Sequence, residues 1–391
     1  MLVHKLRLHD ESSFGGLMKH ILILTSDYGY GHRSAANAIA KALQETRGPE
    51  CEVEIVNPLD DPRAPAFFQG NQNDYDRLVR ELPDLYKLGY QVSESRLAGS
   101  LVKGTFTLAL FNVLREMVRQ KRPDIIVCTY LFYQNILSAV FTMEKHRIPI
   151  LTIVTDLETV QPLWFHPAAD LCLVPTQTVY DLAIKAGLQE EKVKITGIPV
   201  RPDLLKGNQD QASLRQSLGW RPDLFTVLAV GSKRVEHLYD ALRVLNHSGL
   251  PLQLVVVAGG DDELYRHFQE TEWHVESHCY NFVAEMGTFM RAADCILSKA
   301  GGLTVSEGLA CGLPLILIDV IPGQETGNAN HVVSGNAGVL AGDPIEVLET
   351  MCHWLENDQR LYRQVAQNAR RLGHPRAAYD VADLIWSAAC A

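Results

Sequence analysis

Short apolar runs alternate with helix-patterned stretches along nearly the whole sequence, and that alternation leaves few folds open. Runs suited to single strands lie at Lys19–Thr25, Glu52–Val56, Asp124–Cys128, Pro149–Val154, Leu171–Val174 and Lys194–Thr196. Strands separated by helices pair in parallel, because a crossover helix carries the chain back to the end at which it began. The segment Gly197-Ile198-Pro199-Val200-Arg201-Pro202 then interrupts the pattern with two prolines, which cannot continue a helix. Strand runs resume at Phe225–Val230, Gln253–Ala258, Cys295–Ser298, Leu315–Ile318 and Gly338–Leu340. The pattern predicts two doubly wound α/β domains, 19–200 and 201–375, facing each other across a cleft. Residues 376–391 read as a helix that packs back on the first domain, and 1–18 as a disordered extension outside the fold.

The length of 391 residues supports two cores of this kind. No apolar stretch approaches the roughly 20 residues of a membrane-spanning helix, and residues 1–18 lack the apolar centre of a secretory signal. The formal charge of −10 makes nucleic acid an improbable partner. Eight cysteines without Cys-x-x-Cys spacing, mostly inside apolar runs, read as reduced thiols of a cytosolic protein without structural zinc.

Three strings carry chemistry. In Thr25-Ser26-Asp27-Tyr28-Gly29-Tyr30-Gly31-His32-Arg33-Ser34, Gly29 and Gly31 are read as letting the chain turn between strand and helix, with the helix placed at Ser34–Leu43. His32 stands at the helix mouth, where an imidazole can act as a base at neutral pH. An ordinary α/β turn with an incidental histidine fits the same spacing. Ser34 occupies the third glycine position, so this is not a dinucleotide fingerprint.

The second string runs Ser298-Lys299-Ala300-Gly301-Gly302-Leu303-Thr304-Val305-Ser306-Glu307-Gly308. A glycine pair between strand and helix offers backbone donors to phosphate, and Glu307, one turn into the helix, can accept from ribose hydroxyls. A helix carboxylate near a favourable dipole is the plainer reading of Glu307 alone. The third string, Ile321-Pro322-Gly323-Gln324-Glu325-Thr326-Gly327-Asn328, is dense in amides and carboxylates that match sugar hydroxyls, or equally in polar groups that cap a helix.

Taken together, with Thr155-Asp156 and Gly197-Ile198-Pro199-Val200, these strings resemble the monogalactosyldiacylglycerol synthase and processive diacylglycerol glucosyltransferase family. They resemble more distantly the lipid-linked N-acetylglucosaminyltransferase of peptidoglycan synthesis. The resemblance implies a GT-B fold and an inverting transfer of galactose or glucose from a UDP-sugar to diacylglycerol. By position it implies His32 as general base, Glu307 on the ribose, Gln324 and Glu325 on the sugar, and Asn328 supporting that pocket. Gly231, Ser232, Phe282, Met286, Gly301, Gly302 and Thr304 fall with them on the donor side; Asp27, Gly29, Gly31 and Asp156 fall on the acceptor side. The loop Val230-Gly231-Ser232-Lys233-Arg234 departs from the family's glycine-richer pattern, and its two cations stand either against diphosphate or in solvent.

No cofactor or metal is expected, since the single Asp-x-Asp spacing, Asp74-Tyr75-Asp76, lies in a polar helical stretch. His146, His166, His237 and His331 read as structural or exposed residues. Leu97–Arg122 mixes apolar residues with Lys103, Arg115, Arg119, Lys121 and Arg122. It reads either as a plain core helix or as a surface helix on anionic lipid, and the lipid acceptor implied by the resemblance favours the second. The expected setting is the cytoplasmic face of a membrane, held peripherally. Another hydrophobic acceptor and a non-catalytic sugar-nucleotide-binding protein are the alternatives.

Overall fold

A computed structural model describes residues 18–27, 30–64, 110–207, 209–233 and 235–391. Its first sheet contains β1 (Lys19–Leu24), β2 (Cys51–Val56), β3 (Ile125–Cys128), β4 (Ile150–Ile153), β5 (Leu171–Val174) and β6 (Val193–Ile195). They lie in the order β2-β1-β3-β4-β5-β6. The second contains β7 (Phe225–Val230), β8 (Leu252–Val257), β9 (Glu276–Tyr280), β10 (Cys295–Ser298), β11 (Leu315–Leu317) and β12 (Gly338–Leu340), in the order β12-β11-β10-β7-β8-β9. Every described strand pair is parallel. β1, β3, β4, β8 and β10 are apolar over nearly their whole length because helices cover both faces of each sheet.

Strand β9 is absent from the sequence pattern. Glu276-Ser277-His278-Cys279-Tyr280 opens with three polar residues, pairs only with β8 among the described strands, and keeps no residue fully buried. An edge strand needs no continuous apolar run, so it escapes a search for one.

The first helix begins at Tyr30 and runs to Arg47, four residues ahead of its alanine-rich pattern. The N–H groups of the first turn have no intrahelical acceptor, and its residues precede the alanine run by which the helix is recognised. Gly31 is therefore a helical residue rather than a turn former, and a Cβ placed on it would meet nothing within 4 Å.

Residues 110–121 are helical. Leu110, Val113, Leu114 and Val118 form a buried stripe against Leu22, Leu24, Ile126 and Cys128 of β1 and β3. Arg115 and Arg119 pair with Glu144, and Lys121 with Glu54. This part of the 97–122 stretch is a core helix whose cations are engaged within the chain, which corrects the surface-helix reading for residues 110–121. Residues 97–109, Asp74-Tyr75-Asp76 and the first 17 residues lie outside the described ones. No described helix is long and apolar enough to cross a membrane.

The chain passes between the sheets at residues 196–202 and again at 373–376. The two crossings touch: Gly197 has φ +79°, and a Cβ there would collide with the His374 side chain. Beyond them, helix Ala377–Cys390 buries Ala378, Val381, Ala382, Ile385 and Ala389 in the same core as Ile21, Ile23, Ile39 and Leu43. Arg47 binds Asp383 at 2.8 Å, and the Tyr379 hydroxyl donates to Glu45 at 2.7 Å.

Candidate active site

Open α/β sheets bind ligands where strand order reverses, outside the carboxyl ends of the strands. In the first sheet that point lies between β1 and β3, and in the second between β7 and β10. His32 follows β1; Gly231 and Ser232 follow β7; Gly301 and Gly302 follow β10.

On the first side His32 occupies the opening turn of its helix, with Nδ1 2.6 Å from Thr155 Oγ1. Tyr130 meets the imidazole edge-on at a 5.1 Å centroid distance, and Trp164 lies at 6.0 Å. This enclosure lowers the His32 pKa from the ordinary histidine value, against the opposing pull of Asp156 and a hydrogen bond with the Thr129 backbone. The ring is thus held neutral at physiological pH, the form a base requires. Asp156 accepts a 2.7 Å hydrogen bond from Trp164 Nε1, and its own burial raises its pKa. Asp27 takes a two-pronged bond from Arg33, at 2.7 and 2.8 Å, and another from Asn57 at 3.2 Å. The Arg33 hydrogen bond is the main reason its carboxyl sits below the usual range. Asp27 is a ligand of Arg33 before it could be a base. Gly29 lies outside the described residues.

On the second side helix Gly302–Ala310 starts from Gly301 with no side-chain cap and no acidic residue in its first turn. Its opening N–H groups are left for water or a ligand, and the helix dipole favours an anion there. Thr304 is half-buried in that turn. Glu307 is 7% exposed and lies 3.8 Å from Arg201 of the inter-domain segment. Burial pushes its pKa up to about 7, with Arg201 opposing and Asp203 adding to the rise.

Gly231 is fixed by packing. A Cβ there would fall 2.6 Å from Leu264 and 3.2 Å from the Ala258 carbonyl. Ser232 is half-buried beside it, and Lys233 is exposed. Phe282, 78% exposed, stands in the loop between β9 and the helix that Met286 opens, while Met286 packs on the domain core.

The Gln324–Asn328 string divides. Gln324 is half-buried. Glu325 is 3% exposed and has both oxygens engaged, one by Lys299 and the other by the Ile321 N–H at 3.1 Å. Asn328, 4% exposed, donates through Nδ2 to the Ala300 carbonyl at 2.9 Å and leaves buried Oδ1 without a partner. A hexose hydroxyl would satisfy that acceptor.

The two sides meet. The His32 helix touches helix Gly302–Ala310. Gly327 N–H donates to Thr159 Oγ1 at 3.2 Å, and His331 Nδ1 lies 2.9 Å from Glu158 Oε1. A Cβ on Gly302 would lie 3.7 Å from Leu157. The loop after β4, through Leu157, Glu158 and Thr159, therefore lies directly against Gly302, Gly327 and His331 of the second domain.

The monogalactosyldiacylglycerol (MGDG) synthase family model matches residues 32–200, and the glycosyl transferases group 1 model matches residues 210–372. A probable chloroplastic monogalactosyldiacylglycerol synthase of Glycine max is 33% identical over 374 residues, covering 93% of this chain and 70% of the relative. The chain belongs to the monogalactosyldiacylglycerol synthase family. The spinach member is 32% identical, with 93% of this chain and 71% of the relative covered. Membership makes the chain a glycosyltransferase, and its paired Rossmann-like domains are the GT-B arrangement. Acinetobacter baumannii MurG shares that fold at a TM-score of 0.61 and 17% identity, covering 94% of this chain and 99% of the other. A Neisseria meningitidis UDP-GlcNAc 2-epimerase bound to UDP-GlcNAc does so at 0.60 and 16%, covering 94% and 100%.

Sequence reasoning missed four contributors to this site: Tyr130, Trp164, Arg201 and Lys299. Arg201 and Lys299 lie inside strings already singled out, and each is a cation beside a glycine or proline turn. The aromatics carry no local signal, since they reach His32 only through the fold. His331, read as structural or exposed, lies at the contact between the domains.

Proposed function

We propose that the chain transfers a hexosyl group from a UDP-sugar to the free hydroxyl of diacylglycerol, with inversion at the anomeric carbon. The observation that carries this reading is the placement of His32, kept neutral at the first switch point, on a helix that touches the uncapped donor-side helix of the second. His32 takes the acceptor proton as the acceptor oxygen forms its bond to the anomeric carbon. The bond from that carbon to the diphosphate breaks on the opposite face, and the departing charge develops toward the N–H groups that begin helix Gly302–Ala310. A base from one domain and a leaving-group site from the other suit attack from the face opposite the nucleotide, hence inversion.

Glu307 binds the ribose hydroxyls, and Asn328 Oδ1 accepts from the hexose. Galactose is the favoured sugar and diacylglycerol the favoured acceptor, because the relatives are monogalactosyldiacylglycerol synthases by name. A lipid acceptor calls for peripheral attachment to a membrane face. Backbone donors supply the leaving-group stabilisation a metal would otherwise give, so turnover should persist in chelator. The test is incubation of the full chain with UDP-galactose, UDP-glucose or UDP-N-acetylglucosamine and diacylglycerol vesicles, with and without EDTA. A lipid heavier by one hexose, formed fastest with UDP-galactose in both conditions, supports the reading. No lipid product with any donor refutes it, and dependence on added magnesium refutes its metal-free form.

A further inference from the structure

We propose that Lys299 is a diphosphate-binding residue of this enzyme, and that Glu325 acts by positioning Lys299 rather than by contacting the sugar. The inference rests on the reading of the Gly301–Gly302 helix start as the diphosphate site, and it adds a residue that reading did not contain.

Lys299 is the first residue after β10, at the second sheet's switch point. The Gly301 N–H bonds back to the Lys299 carbonyl at 2.8 Å, so the turn folds over itself. The long side chain is brought beside the helix mouth: a Cβ on Gly301 would lie 3.0 Å from Lys299 Nζ. Gly301 thus leaves room for an ammonium next to N–H groups that nothing caps. Nζ and the open N–H groups form one cluster of donors at the helix mouth, with Glu325 Oε1 3.7 Å from the same Cβ position.

The Lys299 side chain is 14% exposed, and Glu325 is its hydrogen-bond partner among the described residues. An ammonium has three donors. One is spent on Glu325, which leaves the others for oxygens of a ligand. Glu325 is more enclosed: it is 3% exposed, one oxygen faces Lys299 and the other accepts from the Ile321 N–H. A carboxylate so enclosed, with both oxygens already engaged, offers a ligand little open surface, but it is well placed to hold an ammonium. The pair also offsets the cost of burying either charge alone. When the glycosyl bond breaks, negative charge grows on the diphosphate, and a cation already fixed in place needs no reorganisation to meet it.

The test is calorimetric binding of UDP and of uridine to the parent, Lys299→Met, Lys299→Arg, Glu325→Gln and the double variant Lys299→Met/Glu325→Gln. Parent protein should bind UDP more tightly than uridine; equal binding of the two would refute the diphosphate reading of the helix itself. With that preference present, Lys299→Met should weaken UDP binding roughly 10- to 100-fold and leave uridine binding unchanged. Lys299→Arg should retain most of the affinity. The double variant leaves no charge buried alone, so it carries the same comparison even if Lys299→Met folds poorly. It should bind UDP no more weakly than Lys299→Met, because Glu325 works through Lys299. Glu325→Gln should leave the ratio of turnover with UDP-galactose and UDP-glucose unchanged. Undiminished UDP affinity in both lysine-to-methionine variants would overturn the role of Lys299. A changed hexose ratio in Glu325→Gln, or losses that simply multiply in the double variant, would overturn the positioning role.

Discussion

The two switch points share a topology and differ in almost everything else. Around His32 the first is lined by Tyr130 and Trp164 and holds titratable groups whose burial moves their pKa values: His32 down and Asp156 up. The second is lined by glycines, an uncapped helix start and an ammonium held by a carboxylate. Low-dielectric walls suit proton transfer because they set which protonation state is resident. Open backbone donors suit a charge that arrives with the ligand and grows during reaction. On the proposed function the same α/β frame separates proton handling from charge stabilisation, and each is expected to be open to damage without the other.

The largest separation is expected for His32→Ala. Turnover should fall roughly 10²–10⁴-fold while UDP affinity by calorimetry stays at the parental value, because a general base contributes to the transition state rather than to donor binding. In the parent, kcat at saturating donor should hold as pH falls to about 6.5 and decline only below it, since burial lowers the His32 pKa from that value. An acid limb centred well above 6.5 would place the titrating base elsewhere.

Glu307→Ala should do the converse, weakening UDP binding by roughly 1.5–3 kcal/mol, the range for a hydrogen bond to a charged group. Burial pushes the Glu307 pKa up to about 7, so the unliganded protein holds a proton there that a ribose-binding carboxylate must release. UDP affinity should therefore drop below pH 7, by up to about tenfold per unit, and Glu307→Gln should flatten that dependence. The unliganded fold should show the matching sign. Its stability falls as pH rises from 4.5 to about 7, where only the native state keeps the proton. Thermal melting of the parent and Glu307→Gln across that window checks this.

Thr155→Val removes the hydroxyl 2.6 Å from His32 Nδ1 and keeps the volume. A loss of about 1 kcal/mol, near fivefold in turnover with UDP affinity unaltered, is expected for an orienting hydrogen bond. Equal losses in turnover and UDP affinity would show that the two sites are not separable. The smallest effect belongs to His237, whose pKa Asp319 raises through a 2.6 Å hydrogen bond. The stabilisation is fully present below the unfolded histidine pKa and lost as pH rises through the higher folded one. His237 is largely exposed, so solvent screening holds it to at most about 1 kcal/mol. Melting of His237→Ala against the parent at pH 5.5 and 9 should differ only at the lower pH.

What the sequence disclosed follows the same division. The second switch point is local, with its glycines, Lys299 and Glu307 inside one strand-to-helix string, and its donors are backbone groups that glycine spacing announces. The first is assembled from distant segments. His32 meets Thr155, Tyr130 and Trp164 only after β1, β3 and β4 lie side by side, and no period or motif marks Tyr130 or Trp164 beforehand. Glu325 carried the residue type of a sugar ligand but folded onto Lys299, since composition gives a side chain's capacity and packing chooses its partner. For residues 110–121 the same apolar stripe serves a core or a bilayer. The strands beneath it, with Glu54 and Glu144 at its cations, decided for the core.

The central claim is that proton acceptor and leaving-group site act from opposite domains, on opposite faces of the reacting carbon. The anomeric configuration of the lipid product reads this directly. With α-linked UDP-galactose and diacylglycerol, the proton coupling at the anomeric carbon should report the β-galactoside alone. An α-galactoside would mean that attack and departure share one face, and it would contradict the division of labour between the two switch points.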